Sequence, residues 1–112
     1  MILFDGYYML KGEIEEEWHA GIHMRHRVFS SFLFYKDGGI LIASKKTNID
    51  NNSFFFEKSE FKKSKSLDFY KIVERELVVY RLDNTLYQSL MIESPKMLVD
   101  EYKRKYTYLA FR

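Results

Sequence analysis

The residues with the clearest potential for chemistry are three histidines that follow a run of three glutamates. The glutamates occupy positions 15–17, and the histidines are His19, His23 and His26. Imidazole and carboxylate groups are ligands for zinc and nickel. A helix would place the three imidazoles on one face, whereas a strand would place His19 and His23 on one face and His26 on the other. Because the H-E-x-x-H motif is absent and no fourth ligand is specified, a solvated edge or loop is favoured, and no bound metal is expected.

Polar residues recur within the apolar stretches of the C-terminal half. Under strand alternation, three of them share a face with apolar neighbours. The sets are Arg81 with Leu77 and Val79, Gln88 with Leu86 and Leu90, and Glu101 with Met97 and Val99. If these faces line a barrel, the polar groups would orient a small ligand, and Arg81 could hold a carboxylate in bidentate fashion. Alternatively, Arg81 and Glu101 lie at strand ends in water or pair with each other.

The sequence gives little support to catalysis. There is no cysteine, which excludes thiol chemistry and disulfides. Ser30 or Ser31 with a histidine and either Asp5 or Asp37 contains the residue types of a hydrolytic triad, but no G-x-S-x-G elbow accompanies them. Neither a P-loop nor a dinucleotide-binding fingerprint is present. We therefore expect a protein that is not an enzyme and that has no cofactor.

Composition predicts one aromatic-rich domain spanning residues 1–112. The chain has ten Phe, nine Tyr and one Trp, and aromatic residues favour strands. The net charge is only +2, and the lysine run at positions 58–65 is interrupted by acidic residues, so no nucleic-acid partner is expected. The apolar start is too short for a signal peptide, and no apolar run is long enough for a membrane span. The cytoplasm is therefore the default compartment.

The elements that would position these residues are strands, of which the clearest form a hairpin at residues 32–42. Two apolar runs flank the turn Lys36-Asp37-Gly38-Gly39. Asp-Gly and Gly-Gly pairs supply the positive φ angles that tight hairpin turns require. This pattern predicts two adjacent antiparallel strands, at about residues 28–35 and 40–45.

The remaining strands are predicted on either side of this hairpin. A first strand is expected at residues 6–14, and residues 13–27 fit extended chain better than helix because apolar residues alternate and Gly21 weakens a helix. A loop is expected at 47–53, and a short helix near 53–63 would begin at Ser53. The later strands are predicted at 69–73, 77–82, 86–92, 97–102 and 106–112. Their spacing predicts an all-β, antiparallel up-and-down barrel or strongly curled sheet of about eight strands.

Several of these stretches resemble small bacterial lipocalin-like domains. They are Asp5-Gly6-Tyr7-Tyr8, the segment Phe32-Leu33-Phe34-Tyr35 with its Asp37-Gly38 turn, Tyr70-Lys71-Ile72 before Leu77, and the final run from Tyr106 to Phe111. The resemblance covers most of the chain and implies a calycin-like barrel. It supplies no catalytic residues.

These observations lead to two expectations for function. The first is a non-catalytic binding domain for a small, largely apolar ligand held inside the barrel. Its expected lining comprises Phe32, Phe34, Val79, Arg81, Gln88 and Leu90. The alternative is a structural or protein–protein interaction module with a filled barrel. Such a module would act through its surface or by self-association, for which the apolar stretch from Trp18 to Met24 is the candidate segment.

Overall fold

The computed structural model describes residues 1–10, 12, 14–49 and 55–111. Within these residues the protein is all-β, with one antiparallel sheet of nine strands, which confirms the predicted fold class. The strands are β1 Gly6–Leu10, β2 Ile14–His19, β3 Ile22–Phe34, β4 Ile40–Asn48, β5 Leu67–Val73, β6 Glu76–Arg81, β7 Leu86–Ser94, β8 Met97–Val99 and β9 Lys105–Ala110. No helix in the described part of the chain could span a bilayer.

The long strand β3 organises the sheet. One of its edges pairs with β4, and the other pairs first with β2 and then with β1. From β1 the sheet continues through β9, β8, β7 and β6 to β5. The sheet curls without closing. Its outer strands approach each other at the bridge between Gly39 and Phe69, where the Tyr70 N–H donates to the Gly38 carbonyl at 3.0 Å.

The β3–β4 hairpin forms at the predicted turn. The Tyr35 N–H donates to the Gly39 carbonyl at 2.9 Å, and the Asp37 carboxylate accepts from the Gly39 N–H at 2.8 Å. Gly38 has a φ of 96°, a conformation that costs little only for glycine. The hairpin prediction is confirmed, although β4 extends to Asn48. Thr47 and Asn48 are therefore strand residues and not part of a loop, because they pair with Arg27 and His26.

Alternate residues of the curled sheet fill its concave side with a large apolar core. This inner core comprises Ile2, Tyr8, Leu10, Phe32, Phe34, Ile40, Leu67, Tyr70, Leu77, Val79, Leu90, Ile92, Leu98 and Tyr106. On β8 the buried residue is Leu98, while Met97 and Val99 are only partly buried. The predicted inward face of Met97, Val99 and Glu101 is therefore wrong. Leu98 pairs directly with the buried Ile92, which places Leu98 and not its two neighbours on the inner face.

A second, smaller core lies on the convex side of the sheet. It comprises Tyr7, Phe29, Leu33, Ala43, Phe56 and Phe61. The last two belong to the segment 55–62, which crosses this face and is attached by two 2.9 Å backbone hydrogen bonds between Ile42 and Lys62. In place of the short helix expected near residues 53–63, this segment contains a single 3-10 turn, Lys58–Glu60. The predicted helix start at Ser53 lies outside the described residues.

The chain between β1 and the hairpin forms an exposed arm (residues 14–27). It consists of β2 and the first half of β3, joined by a two-residue turn at Ala20 and Gly21. Both turn residues have positive φ angles, 49° and 81°, as expected for a tight hairpin turn. The extended interpretation of residues 13–27 is thus confirmed over the described positions.

Candidate functional site

Four of the six residues predicted to line a ligand site lie within the inner core. Phe32 is 6% exposed, Phe34 is 1% exposed, and Val79 and Leu90 are fully buried. The Phe34 ring packs against Tyr8 and Tyr70, with centroid separations of 5.9 and 4.9 Å. At these positions the interior of the curled sheet is therefore occupied by the protein's own side chains.

The two polar residues of the predicted set lie outside the inner core. Gln88 is partly exposed, and its Nε2 donates to the Tyr106 hydroxyl at 3.5 Å. Arg81 is exposed at the end of β6, with its guanidinium 5.2 Å from the Tyr87 ring centroid. Arg81 thus occupies the water-exposed strand end that the alternative interpretation anticipates. The structure does not bring Arg81 and Phe34 into one site.

A small depression of about 240 Å³ lies beside Phe32 and Tyr87. Its floor includes Phe32 and Leu67, and its polar lining consists of hydroxyl groups. Ser30 and Ser44, which face each other across β3 and β4, contribute two of these groups. The volume lies below the range of about 300–1,000 Å³ that is usual for small-molecule sites.

A larger cleft of about 660 Å³ lies on the convex side of the sheet. We call it the outer cleft; its lining is Phe4, Asp5, Tyr7, Leu33, Tyr35, Phe55, Phe56, Glu57, Lys58, Ala110 and Phe111. Six of these eleven residues are aromatic. The volume falls within the usual range for small-molecule sites.

The outer cleft has a buried aromatic floor. The Tyr7 ring packs edge-on against Phe56, at 5.9 Å and 87°, and lies 5.2 Å from the Phe111 ring. The Tyr7 hydroxyl accepts a hydrogen bond from the Phe56 N–H at 2.9 Å. This contact joins β1 to the segment 55–62, so both walls of the cleft are held at a fixed separation.

Charged groups lie at the rim of the outer cleft. Asp5, Glu57 and Lys58 are exposed. Within the described residues, the Asp5 side chain has no ion pair or hydrogen bond. Burial, and then the charge of Asp5, raise the pKa of Tyr108. Lys36 lies close by, with Nζ 5.8 Å from the centroid of the Phe4 ring.

Sequence patterns missed the outer cleft because its residues come from four separate stretches of the chain. Only the folded sheet brings β1, the β3–β4 turn, residues 55–58 and the end of β9 together. Two signals were present in the sequence. One was the run of consecutive phenylalanines around Phe55, and the other was Asp5 directly before a predicted aromatic strand.

The histidines lie on the arm, but the faces differ from the strand prediction. The turn at Ala20 and Gly21 interrupts the alternation, so His19 and His26 share a face. Both approach Glu17 Oε2, at 3.2 and 3.8 Å. His23 is on the other face and stacks on Trp18 at 4.6 Å. In the described part of the chain, no group of three metal-ligating side chains comes together.

Lys46 forms ion pairs with two glutamates of the arm. Its Nζ lies 2.8 Å from Glu17 Oε1 and 3.3 Å from Glu15 Oε2. The hydrogen bond from Lys46 is the main cause of a lowered pKa at Glu17, with a smaller contribution from His19. These groups form a solvated ion-pair network, in keeping with the solvated edge expected there.

The apolar residues of the arm are exposed. Trp18 is 69% exposed and Ile22 is 64% exposed, and Ile14 and Met24 also face solvent. The apolar stretch singled out in the sequence is therefore not part of either core.

No known family model matches the chain, and no curated protein or solved structure shows significant similarity to it. The resemblance to lipocalin-like domains thus stays a prediction. The strand pairings define the curled antiparallel sheet.

Proposed function

We propose that this protein is a non-catalytic binding domain for a small, largely apolar ligand, and that the ligand occupies the outer cleft. The observation that carries the proposal is a cleft of about 660 Å³ with an aromatic lining and a few charged groups at its rim. Apolar walls supply affinity by removing ligand surface from water, while a small number of polar groups fix orientation.

The outer cleft suits a ligand better than the inner core. Tyr8, Leu77, Val79, Leu90 and Leu98 are fully buried, so a ligand between them would have to displace packed side chains. Such overpacking typically costs about 1–3 kcal/mol for even a few extra methylene groups. In the outer cleft, Tyr35 and Phe55 remain 38% and 42% exposed and gain burial when a ligand binds.

The neutral apolar dye N-phenyl-1-naphthylamine provides a test through its increase in fluorescence on burial. Ala110 is exposed and lines the cleft, so Ala110→Trp places an indole in the ligand's space. Thr107→Trp adds the same side chain at an exposed position of the same strand outside the lining. We expect saturable binding that Ala110→Trp weakens by about tenfold and Thr107→Trp leaves unchanged. Absence of saturable binding, or equal binding by both variants, would contradict the proposal.

A second candidate function is self-association through the arm. The exposure of Trp18 on one face of the arm and of Ile22 on the other favours it, because exposed apolar surface is removed from water when two copies associate. Sedimentation velocity should show a concentration-dependent dimer that the double substitution Trp18→Ser and Ile22→Ser abolishes. A monomer over the whole concentration range would exclude this function.

A further inference from the structure

We infer that the ligand of the outer cleft carries a cationic ammonium group next to its apolar part. The inference rests on the proposed function, since it assigns a chemical class to the ligand of that same cleft. Three features of the cleft carry it: its exposed aromatic rings, the exposed carboxylate of Asp5, and a neighbouring lysine that already lies over one of the rings.

The aromatic rings provide the first argument. Tyr35 and Phe55 are exposed and Phe4 is partly exposed, and all three line the cleft. The face of an aromatic ring carries partial negative charge and attracts cations. Sites lined by several rings are used to recognise ammonium groups, because the rings replace part of the hydration shell without requiring a full negative charge.

The charged residues of the rim provide the second argument. Asp5 and Glu57 contribute two carboxylates to the lining, whereas Lys58 contributes one ammonium. The carboxylate of Asp5 is exposed and has no ion-pair partner among the described residues. An ammonium-bearing ligand would supply this partner. An anionic group next to Asp5 would instead be repelled by its carboxylate.

Lys36 provides the third argument. Its Nζ lies 5.8 Å from the centroid of the Phe4 ring, and Phe4 is adjacent to Asp5 in the chain. This end of the cleft therefore already attracts an ammonium group from the protein itself. Lys36 is exposed and can move into water when a ligand binds. Because it competes for the same ring, removing its charge is expected to strengthen binding of a cationic ligand.

The test compares three probes with the same phenylpropyl body and different end groups. They are 3-phenylpropylammonium, 3-phenylpropanol and 3-phenylpropanoate, titrated by calorimetry near neutral pH, where the amine is charged. We expect the ammonium probe to bind about fivefold more tightly than the alcohol, and the carboxylate probe to bind most weakly.

Two variants and one control identify the charges responsible. Asp5→Asn should weaken binding of the ammonium probe by about fivefold and should change the affinity for the alcohol by much less. Lys36→Met should increase affinity for the ammonium probe alone. Asp83→Asn makes the same charge change as Asp5→Asn at an exposed turn outside the cleft and should leave all three affinities unchanged.

The outcomes separate this inference from the proposed function. Equal binding of the ammonium and alcohol probes, blocked in both cases by Ala110→Trp, would overturn the cationic assignment and leave the apolar site intact. Tightest binding of the carboxylate probe would also overturn it and would identify Lys58 as the orienting charge. If none of the three probes binds, both proposals are wrong.

Discussion

At the scale of single residues, the Tyr7 hydroxyl connects the two walls of the outer cleft. Tyr7 is 1% exposed, its ring lies in the floor, and its oxygen accepts from the Phe56 backbone. A neutral hydrogen bond contributes about 0.5–1.5 kcal/mol net, and more when a buried donor loses its acceptor.

Tyr7→Phe removes this acceptor while retaining the aromatic ring. We expect a loss of about 1–2 kcal/mol in the free energy of unfolding and faster hydrogen exchange at the Phe56 amide. Urea denaturation and amide exchange measure the two effects. Tyr102→Phe, at a residue that is 78% exposed, is the matched control and should change neither quantity. Unaltered protection of the Phe56 amide would show that the hydroxyl does not hold the segment in place.

The ionisation of Tyr70 makes the free energy of unfolding depend on pH in the alkaline range. Burial, followed by the charge of Asp37, raises its pKa to about 12. In the unfolded chain a tyrosine titrates near 10, so folding favours the neutral phenol. This contribution is complete below about pH 10 and is lost as pH rises toward about 12.

Tyr70→Phe should therefore destabilise the protein at neutral pH, because the hydroxyl also donates to the Tyr35 carbonyl. The difference in unfolding free energy between wild type and variant should narrow as the pH rises from about 10 toward about 12. Urea denaturation over this range measures it. A difference that stays constant with pH would contradict the raised pKa.

Single-residue predictions from the sequence were most accurate for burial. Val79 and Leu90 were expected to face inward from strand alternation, Phe32 and Phe34 were expected to line the interior with them, and all four are buried. Alternation does not reveal whether an inward face surrounds a cavity or a packed core. That depends on side-chain volumes summed over strands distant in sequence, and a ligand inside the barrel therefore stays a prediction.

At the scale of elements, the arm depends on its turn. Ala20 occupies a position with a φ of 49°, where a residue with a β-carbon is strained. Gly21 has a φ of 81°, and a β-carbon there would meet no atom within 4 Å. A side chain at Gly21 would therefore be strained by the backbone conformation and not by a clash of its β-carbon.

Gly21→Ala should lower the free energy of local opening of the arm by about 1–2 kcal/mol. Ala20→Asn should raise this free energy, since Asn followed by Gly suits a two-residue turn. Hydrogen exchange of the arm amides measures both effects. Because the arm lies outside both cores, the unfolding free energy of the sheet should remain unchanged. Equal exchange rates in both variants and the wild type would exclude this account of the turn.

Elements were predicted well where turns carried a local signal and poorly where pairing determined the ends. The β3–β4 hairpin was located by Asp37 and Gly38. Strand β4 was predicted too short because residues 47 and 48 have loop-like composition, and their pairing with β3 was not visible in the sequence. The register shift next to β8 was likewise invisible, since bulges depend on the partner strand.

At the scale of the whole molecule, the two sides of the curled sheet are packed differently. The concave side is filled by the larger core, and the convex side carries a smaller core with a cleft beside it. Composition and strand spacing predicted the sheet. The cleft could not be predicted, because it forms only where the segment 55–62 crosses the convex face.

Mapping of a neutral probe by NMR tests the central claim most directly. The isotope-labelled protein would be titrated with 3-phenylpropanol while backbone amide shifts are followed. A ligand in the outer cleft predicts the largest changes at Phe55, Phe56 and Phe111. Largest changes at Leu77, Leu90 and Leu98 would instead place the ligand in the inner core and contradict the assignment to the outer cleft.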